Sequence, residues 1–100
     1  MIVHGTADEF VSYQNAIFNT HQWANIHGIN WVKTDLKGES INKQLNFKNK
    51  KGETVLSLFS LAGRTHGYPI DPDNGCGEVG KFIIDTRVCA AEKITDFFGL

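Results

Sequence analysis

Asp8 and His66 are the two residues of this sequence whose types and settings could do chemistry together. Asp8 follows the short apolar run "MIVHG", and His66 follows the apolar run "TVLSLFSLAG". If both runs are parallel strands, both residues lie at the carboxyl edge of one sheet, where α/β proteins place their sites. A carboxylate that accepts a hydrogen bond from one imidazole nitrogen fixes the tautomer, so the other nitrogen can act as a general base. The chain order, acid then histidine, is that of two thirds of a hydrolytic triad.

Simpler interpretations of the same two residues stay open from spacing alone. An aspartate between a strand and a helix often serves as a loop or cap residue. A histidine in a glycine-containing loop is often a solvated turn residue.

The other histidines do not predict a metal site. His21 and His27 are six positions apart, so they point to different sides of a helix and would not share a metal ion. His4 is expected to brace the loop that carries the acid rather than to bind zinc. We predict neither a bound metal nor another cofactor.

Composition indicates one globular domain over residues 1–100, which we expect to be a partial one. The sequence is 41% hydrophobic and 21% charged, with a formal net charge of -1, so a disordered chain is excluded. The charge balance gives no sign of a nucleic acid or an anionic membrane as a partner. No apolar run reaches the roughly 18 residues of a membrane helix, and no signal peptide precedes "MIVHG".

Periodicity predicts a strand, a helix and a hairpin in that order. "MIVHG" suits a strand buried on both faces. A helix is expected over 11–27, with Ser12 or Asp8 as its cap and Gly28 as its stop. The runs "INKQLNFKN" and "TVLSLFSLAG", joined by "KKGE", read as a hairpin. The helix places a broad stripe on one side, formed by Tyr13, Ala16, Ile17, Thr20, Trp23, Ala24 and His27.

The remaining segments are predicted as two loops and a closing helix. "INWVKTDLKGES" is polar and irregular, and the segment 64–80 holds both prolines and four glycines, which is typical of a long functional loop. A second helix is expected at the end, with Ala90, Ile94, Phe97 and Phe98 on its buried side. The order favours an α/β sheet that is too small to be complete.

Cys76 and Cys89 lie 13 positions apart and fit no metal-binding spacing. A disulfide and two free thiols are both open from the sequence.

Three segments resemble the α/β-hydrolases related to polyhydroxybutyrate depolymerases and feruloyl esterases. "HGTADEFVSYQNAIFNTHQW" is similar to the segment that carries the triad acid, and "LAGRTHGYPID" is similar to the Gly-x-x-His-x-Trp-Pro segment that carries the triad histidine. The ending "CAAEKITDFF" is similar to the family's last helix. The matched positions are His4, Gly5, Asp8, Val11, Trp23, Gly63, His66 and Pro69, with Tyr68 where the family usually has Trp.

The resemblance implies the C-terminal portion of an α/β-hydrolase sheet from a secreted serine carboxyl-ester hydrolase. His66 would be the catalytic base, Asp8 would orient it, and Tyr68 would line the pocket for an ester substrate. The chain departs from the family at the nucleophile, because no Gly-x-Ser-x-Gly elbow occurs. The nearest stretch, "GESIN", lacks the second glycine and puts Ser40 between acid and histidine, so we do not expect Ser40 to be the nucleophile.

A strand such as "MIVHG" needs more neighbours than this chain offers, so we expect either self-association or a missing N-terminal segment. The alternative to an esterase fragment is a non-catalytic α/β domain that folds by self-association. A third hypothesis is a small redox protein that uses Cys76 and Cys89.

Overall fold

The computed structural model describes residues 1–31 and 41–100, and over these it is a small mixed α/β domain. The expected order of strand, helix, hairpin and closing helix is present. Most of the predicted loop after the first helix, with Ser40, lies outside the described residues. The elements are β1 (Ile2–Gly5), α1 (Tyr13–Ile26), β2 (Lys43–Lys48), β3 (Thr54–Leu61), β4 (Tyr68–Ile70), a 3-10 helix (Pro72–Asn74), β5 (Ile83–Asp85) and α2 (Ala90–Phe98).

The larger sheet has the strand order β1-β3-β2. β1 pairs in parallel with β3, with Ile2 opposite Leu58 and Gly5 opposite Leu61. β2 and β3 form the predicted antiparallel hairpin. The parallel pair therefore ends at one edge of the sheet, and the loops toward Asp8 and His66 both start there.

β3, not β1, is the strand with both faces buried. Leu58 packs on one face against Ala16 and Ile17 of α1, while Lys93 of α2 lies over the Phe59 ring on the other, since successive strand residues point to opposite faces. The prediction that "MIVHG" is fully buried was wrong. Its residues before Gly5 are only half-buried, because β1 lies at the edge of the sheet.

Local sequence explains where α1 begins and ends. The Gln14 N–H donates to the Ser12 hydroxyl at 3.3 Å, so Ser12 is the cap, and Gly28 adopts a left-handed φ of 70° just past the end. Part of the predicted stripe is buried, but Trp23 and His27 are exposed. The buried residues of the helix are Ala16, Ile17, Thr20 and Ala24.

The stretch 64–80, predicted as one long loop, contains regular structure. β4 pairs in parallel with β5 to form a second, two-stranded sheet, and the 3-10 helix follows directly. Strands of three residues are too short to produce a readable alternation of apolar and polar residues. The second sheet was therefore missed.

A disulfide ties the second sheet's region to α2. Cys76 and Cys89 are bonded, with their Cα atoms 5.9 Å apart, so the alternative of two free thiols is not observed. Phe97 is half-buried, but Phe98 is 63% exposed. The prediction that Phe98 lies on the buried side was wrong, because Phe98 is the last residue of α2 and its ring lines an open groove. No helix in residues 1–31 and 41–100 is long and apolar enough to cross a bilayer.

Candidate active site

The loops that follow β1 and β3 are held together by their backbones. The Thr6 N–H donates to the Leu61 carbonyl and the Ala7 N–H to the Arg64 carbonyl, both at 3.0 Å. The Gly63 N–H donates to the Thr6 hydroxyl at 2.8 Å. These bonds fix the two loops against each other before any side chain of the site is considered.

The Asp8 carboxylate is nearly enclosed and accepts three hydrogen bonds. Its side chain is only 5% exposed. Oδ1 accepts from the N–H groups of Phe10 at 2.9 Å and Val11 at 2.8 Å. Oδ2 lies 2.8 Å from Nδ1 of His66. Asp8 is thus both a loop residue, as the simpler interpretation held, and the partner of the histidine.

His66 is oriented by that contact. A neutral imidazole whose Nδ1–H donates to a carboxylate leaves Nε2 as an acceptor. Within the described residues Nε2 has no hydrogen-bond partner, and the side chain is 39% exposed. The ring therefore presents a basic nitrogen to the surface while its other nitrogen is fixed.

His4 braces the acid loop, as the sequence predicts. Its Nε2 lies 2.9 Å from the Val11 carbonyl oxygen and 3.6 Å from Asp8 Oδ2. Both backbone polar groups of Val11 are thereby held, because its N–H donates to Asp8 and its carbonyl accepts from His4. The imidazole packs edge-on against Tyr13, with ring centroids 5.8 Å apart.

Hydrogen bonds lower the pKa of Asp8. Burial acts first and in the opposite direction, since it raises the pKa of a carboxyl. The N–H of Val11, the His66 imidazole and the N–H of Phe10 stabilise the charged form and outweigh it, so the pKa lies below its ordinary value. Asp8 is therefore an ionised acceptor at neutral pH.

Two phenylalanines that the sequence analysis did not single out surround His66. The ring centroids of Phe10 and Phe82 lie 5.6 and 5.5 Å from the imidazole centroid. Phe10 lies two positions after Asp8, within the segment that resembles the acid-bearing motif, and this was the available signal. Phe82 is 16 positions beyond His66, and nothing in the pattern around it indicated a contact with the site.

A cavity of about 430 Å³ opens beside the pair. Asp8, His66 and Tyr68 all line it, and Tyr68 is 48% exposed. Val3 of β1 and Ile94 of α2 contribute apolar walls. The described part of the chain holds no group of three or more His, Cys, Asp or Glu residues placed to bind a metal ion.

Comparison with known proteins gives one informative match. The chain is 33% identical over 104 aligned residues to the poly(3-hydroxyalkanoate) depolymerase C of Paucimonas lemoignei. This chain is similar to part of a depolymerase. The alignment covers 99% of the chain but 25% of the depolymerase, so the chain spans about a quarter of the length of this curated relative.

No family model and no solved structure matches the chain. The match to the depolymerase supports the depolymerase side of the resemblance stated from the motifs. The relation to feruloyl esterases and the identity of the sheet as part of an α/β-hydrolase stay predictions.

Proposed function

We propose that this chain carries the acid and the base of a Ser–His–Asp triad in a carboxyl-ester hydrolase. The 2.8 Å contact between Asp8 Oδ2 and His66 Nδ1 is the main support. The positions of both residues after parallel strands, and the similarity to a depolymerase over 99% of the chain, agree with this proposal.

In the proposed mechanism, Nε2 of His66 takes the proton of a serine hydroxyl while the serine oxygen attacks the ester carbonyl. Asp8 stabilises the imidazolium that forms, and the imidazolium then protonates the leaving alcohol. A water molecule, deprotonated by the same nitrogen, releases the acyl group from the serine. The hydrogen-bonded and ionised state of Asp8 suits it to this role.

The nucleophile is proposed to lie in sequence outside these residues. No Gly-x-Ser-x-Gly pentapeptide occurs in the chain, and no described residue lining the cavity is a serine. In the complete enzyme, a preceding N-terminal segment would bring the serine and the oxyanion donors to the Nε2 side of His66.

The proposed substrate is a polyester or a small carboxylic ester, such as a feruloyl or acetyl ester. The name of the similar protein favours a poly(3-hydroxyalkanoate), and Tyr68 would line the pocket on the cavity wall. We also propose that the enzyme is secreted, because the Cys76–Cys89 disulfide suits an oxidising compartment.

Turnover tests the proposal in two steps. The isolated chain should hydrolyse a p-nitrophenyl ester no faster than its His66→Ala variant, since it lacks the nucleophile and oxyanion donors. A longer protein that includes the sequence encoded next to these residues should be active. In that longer protein, His66→Ala or Asp8→Asn should lower kcat by about 10⁴-fold. His21→Ala, on the exposed side of α1, is the matched control. Equal activity of all variants of the longer protein would reject the proposed function.

A second candidate is a non-catalytic α/β domain that self-associates. β1 lies at one edge of the larger sheet, and an unpaired edge favours strand addition by another copy. A longer protein without esterase activity, together with a stable oligomer of this chain, would favour the second candidate.

A further inference from the structure

Two phenylalanine rings pack against the imidazole of His66, the proposed catalytic base. Phe10, His66 and Phe82 form a triangle in which the centroids of the two phenylalanine rings are 5.6 Å apart, and each is a similar distance from the imidazole. The phenylalanines come from loops 72 positions apart in the sequence. We call Phe10 and Phe82 the aromatic clasp.

Core packing does not explain the clasp. Phe10 is 74% exposed and Phe82 is 46% exposed, so neither ring is removed from water as a core residue would be. Phe82 also holds a left-handed φ of 57°, a backbone conformation that costs a non-glycine residue free energy. A large apolar side chain at such a position indicates a use for the ring itself.

Each ring is anchored by its own backbone. The Phe10 N–H donates to Asp8 Oδ1 at 2.9 Å, and the Phe82 carbonyl accepts from the Tyr68 N–H at 2.8 Å. The clasp is thus tied to the acid at one end and to the cavity wall at the other.

We propose that Phe10 and Phe82 are positioning residues for His66, an inference that rests on the proposed function of this histidine as the base. A single bond to Asp8 leaves the imidazole free to swing about that contact. The two rings limit this motion and keep Nε2 turned toward the cavity. By limiting this motion they slow the opening of the Nδ1–H bond to Asp8, and so the exchange of its proton with water.

Comparing glycine substitutions at Phe82 and at Arg87 separates the loss of the ring from the relief of the left-handed backbone conformation. Phe82→Gly removes the ring and also removes the penalty of the left-handed conformation. Arg87→Gly is the matched control, because Arg87 is exposed and holds a similar φ of 56°. The readout is the solvent exchange of the His66 Nδ1 proton in NMR spectra of the chain. We expect exchange about tenfold faster in Phe82→Gly and unchanged exchange in Arg87→Gly.

Phe10 provides a second, independent variant in case Phe82→Gly fails to fold. Phe10→Leu should speed exchange of the Nδ1 proton, and Phe10→Tyr, which keeps a ring, should restore the wild-type rate. Phe98→Leu, at an exposed ring of α2, controls for the general loss of an aromatic side chain, and circular dichroism verifies folding of each variant.

Wild-type exchange rates in both Phe82→Gly and Phe10→Leu would overturn the positioning role. A wild-type chain without a protected Nδ1 proton would contradict both the clasp and the Asp8–His66 bond. A protected proton that depends on the clasp, in a longer protein without turnover, would reject the enzyme function and leave the positioning of His66 intact.

Discussion

At the scale of single residues, the Asp8 carboxylate should make the stability of the chain depend on pH in the acid range. Its pKa is lowered in the folded state, whereas an unfolded aspartate titrates at about 3.9. The stabilisation is therefore fully present above about pH 4 and is lost as the pH falls through the lower, folded pKa. We expect urea unfolding to show a free energy of unfolding that decreases below about pH 4.

Asp8→Asn tests the origin of this dependence. The variant has no carboxylate at this position, so its free energy of unfolding should fall less steeply in acid than that of the wild type. Glu78→Gln, at an exposed loop carboxylate, should retain the wild-type slope. Parallel pH profiles for wild type and Asp8→Asn would mean that the three hydrogen bonds to Asp8 do not favour its charged form.

The residues of the site differ in how far sequence could foresee them. Asp8 and His66 carry polar groups at strand ends, and the family motifs point to both. The clasp could not be foreseen in this way, because its contacts depend on a left-handed Phe82 and on the relative placement of two loops. Neither leaves a periodic signal.

At the scale of elements, Gly5 at the end of β1 leaves room for the loop that follows β3 to approach. The loops after β1 and β3, which carry Asp8 and His66, are called the site loops. A Cβ atom on Gly5 would lie 2.2 Å from the Arg64 carbonyl oxygen and 2.8 Å from its carbonyl carbon. Because both atoms are backbone, they cannot move aside without shifting the loop that leads to His66. We expect Gly5→Ala to lower the free energy of unfolding by about 3 kcal/mol, measured by urea denaturation.

Gly80→Ala provides the control for Gly5→Ala. A Cβ atom there would have the Ile83 side chain as its nearest neighbour, at an ordinary 3.8 Å. Its cost should be less than about 1 kcal/mol. Equal losses in the two variants would show that the close approach at Gly5 does not govern how the site loops pack.

Long elements were predictable from the sequence, and short elements were not. The first helix and the β2–β3 hairpin each span enough residues for a cap, a turn or an alternation to be read. β4 and β5 have three residues each, and their pairing depends on contacts between distant segments. β3 is buried on both faces because α1 and α2 approach it from opposite sides, which is a property of the assembled fold.

At the scale of the whole molecule, the Cys76–Cys89 disulfide should supply a substantial share of stability. It closes a loop with a sequence separation of 13 and so restricts the unfolded chain, which on the chain-entropy model contributes about 3 kcal/mol. Urea unfolding with and without a reductant should differ by about this amount. A Cys76→Ser/Cys89→Ser variant should have the same free energy of unfolding as the reduced chain, and adding a reductant should not change it. An unchanged midpoint on reduction would contradict a stabilising role.

The open edge of β1 should cause the isolated chain to associate. Among residues 1–31 and 41–100, β1 pairs with β3 on one side only, since it lies at the end of the β1-β3-β2 order. Beside it, the apolar side chains of Met1, Ile2, Trp23 and Phe98 line a groove. Exposed apolar surface next to an unpaired strand favours association, so the isolated chain should scatter light as a dimer or a larger species.

Phe98→Lys places a charge in this groove at a side chain that is 63% exposed, so it should weaken association without disturbing the core. Val79→Lys, at a similarly exposed loop residue, should leave association unchanged. In the longer protein that we propose, a neighbouring strand would cover β1 and remove the reason to associate. A monomeric isolated chain whose residues 1–5 exchange their amide hydrogens rapidly would contradict the expectation that β1 needs a further partner.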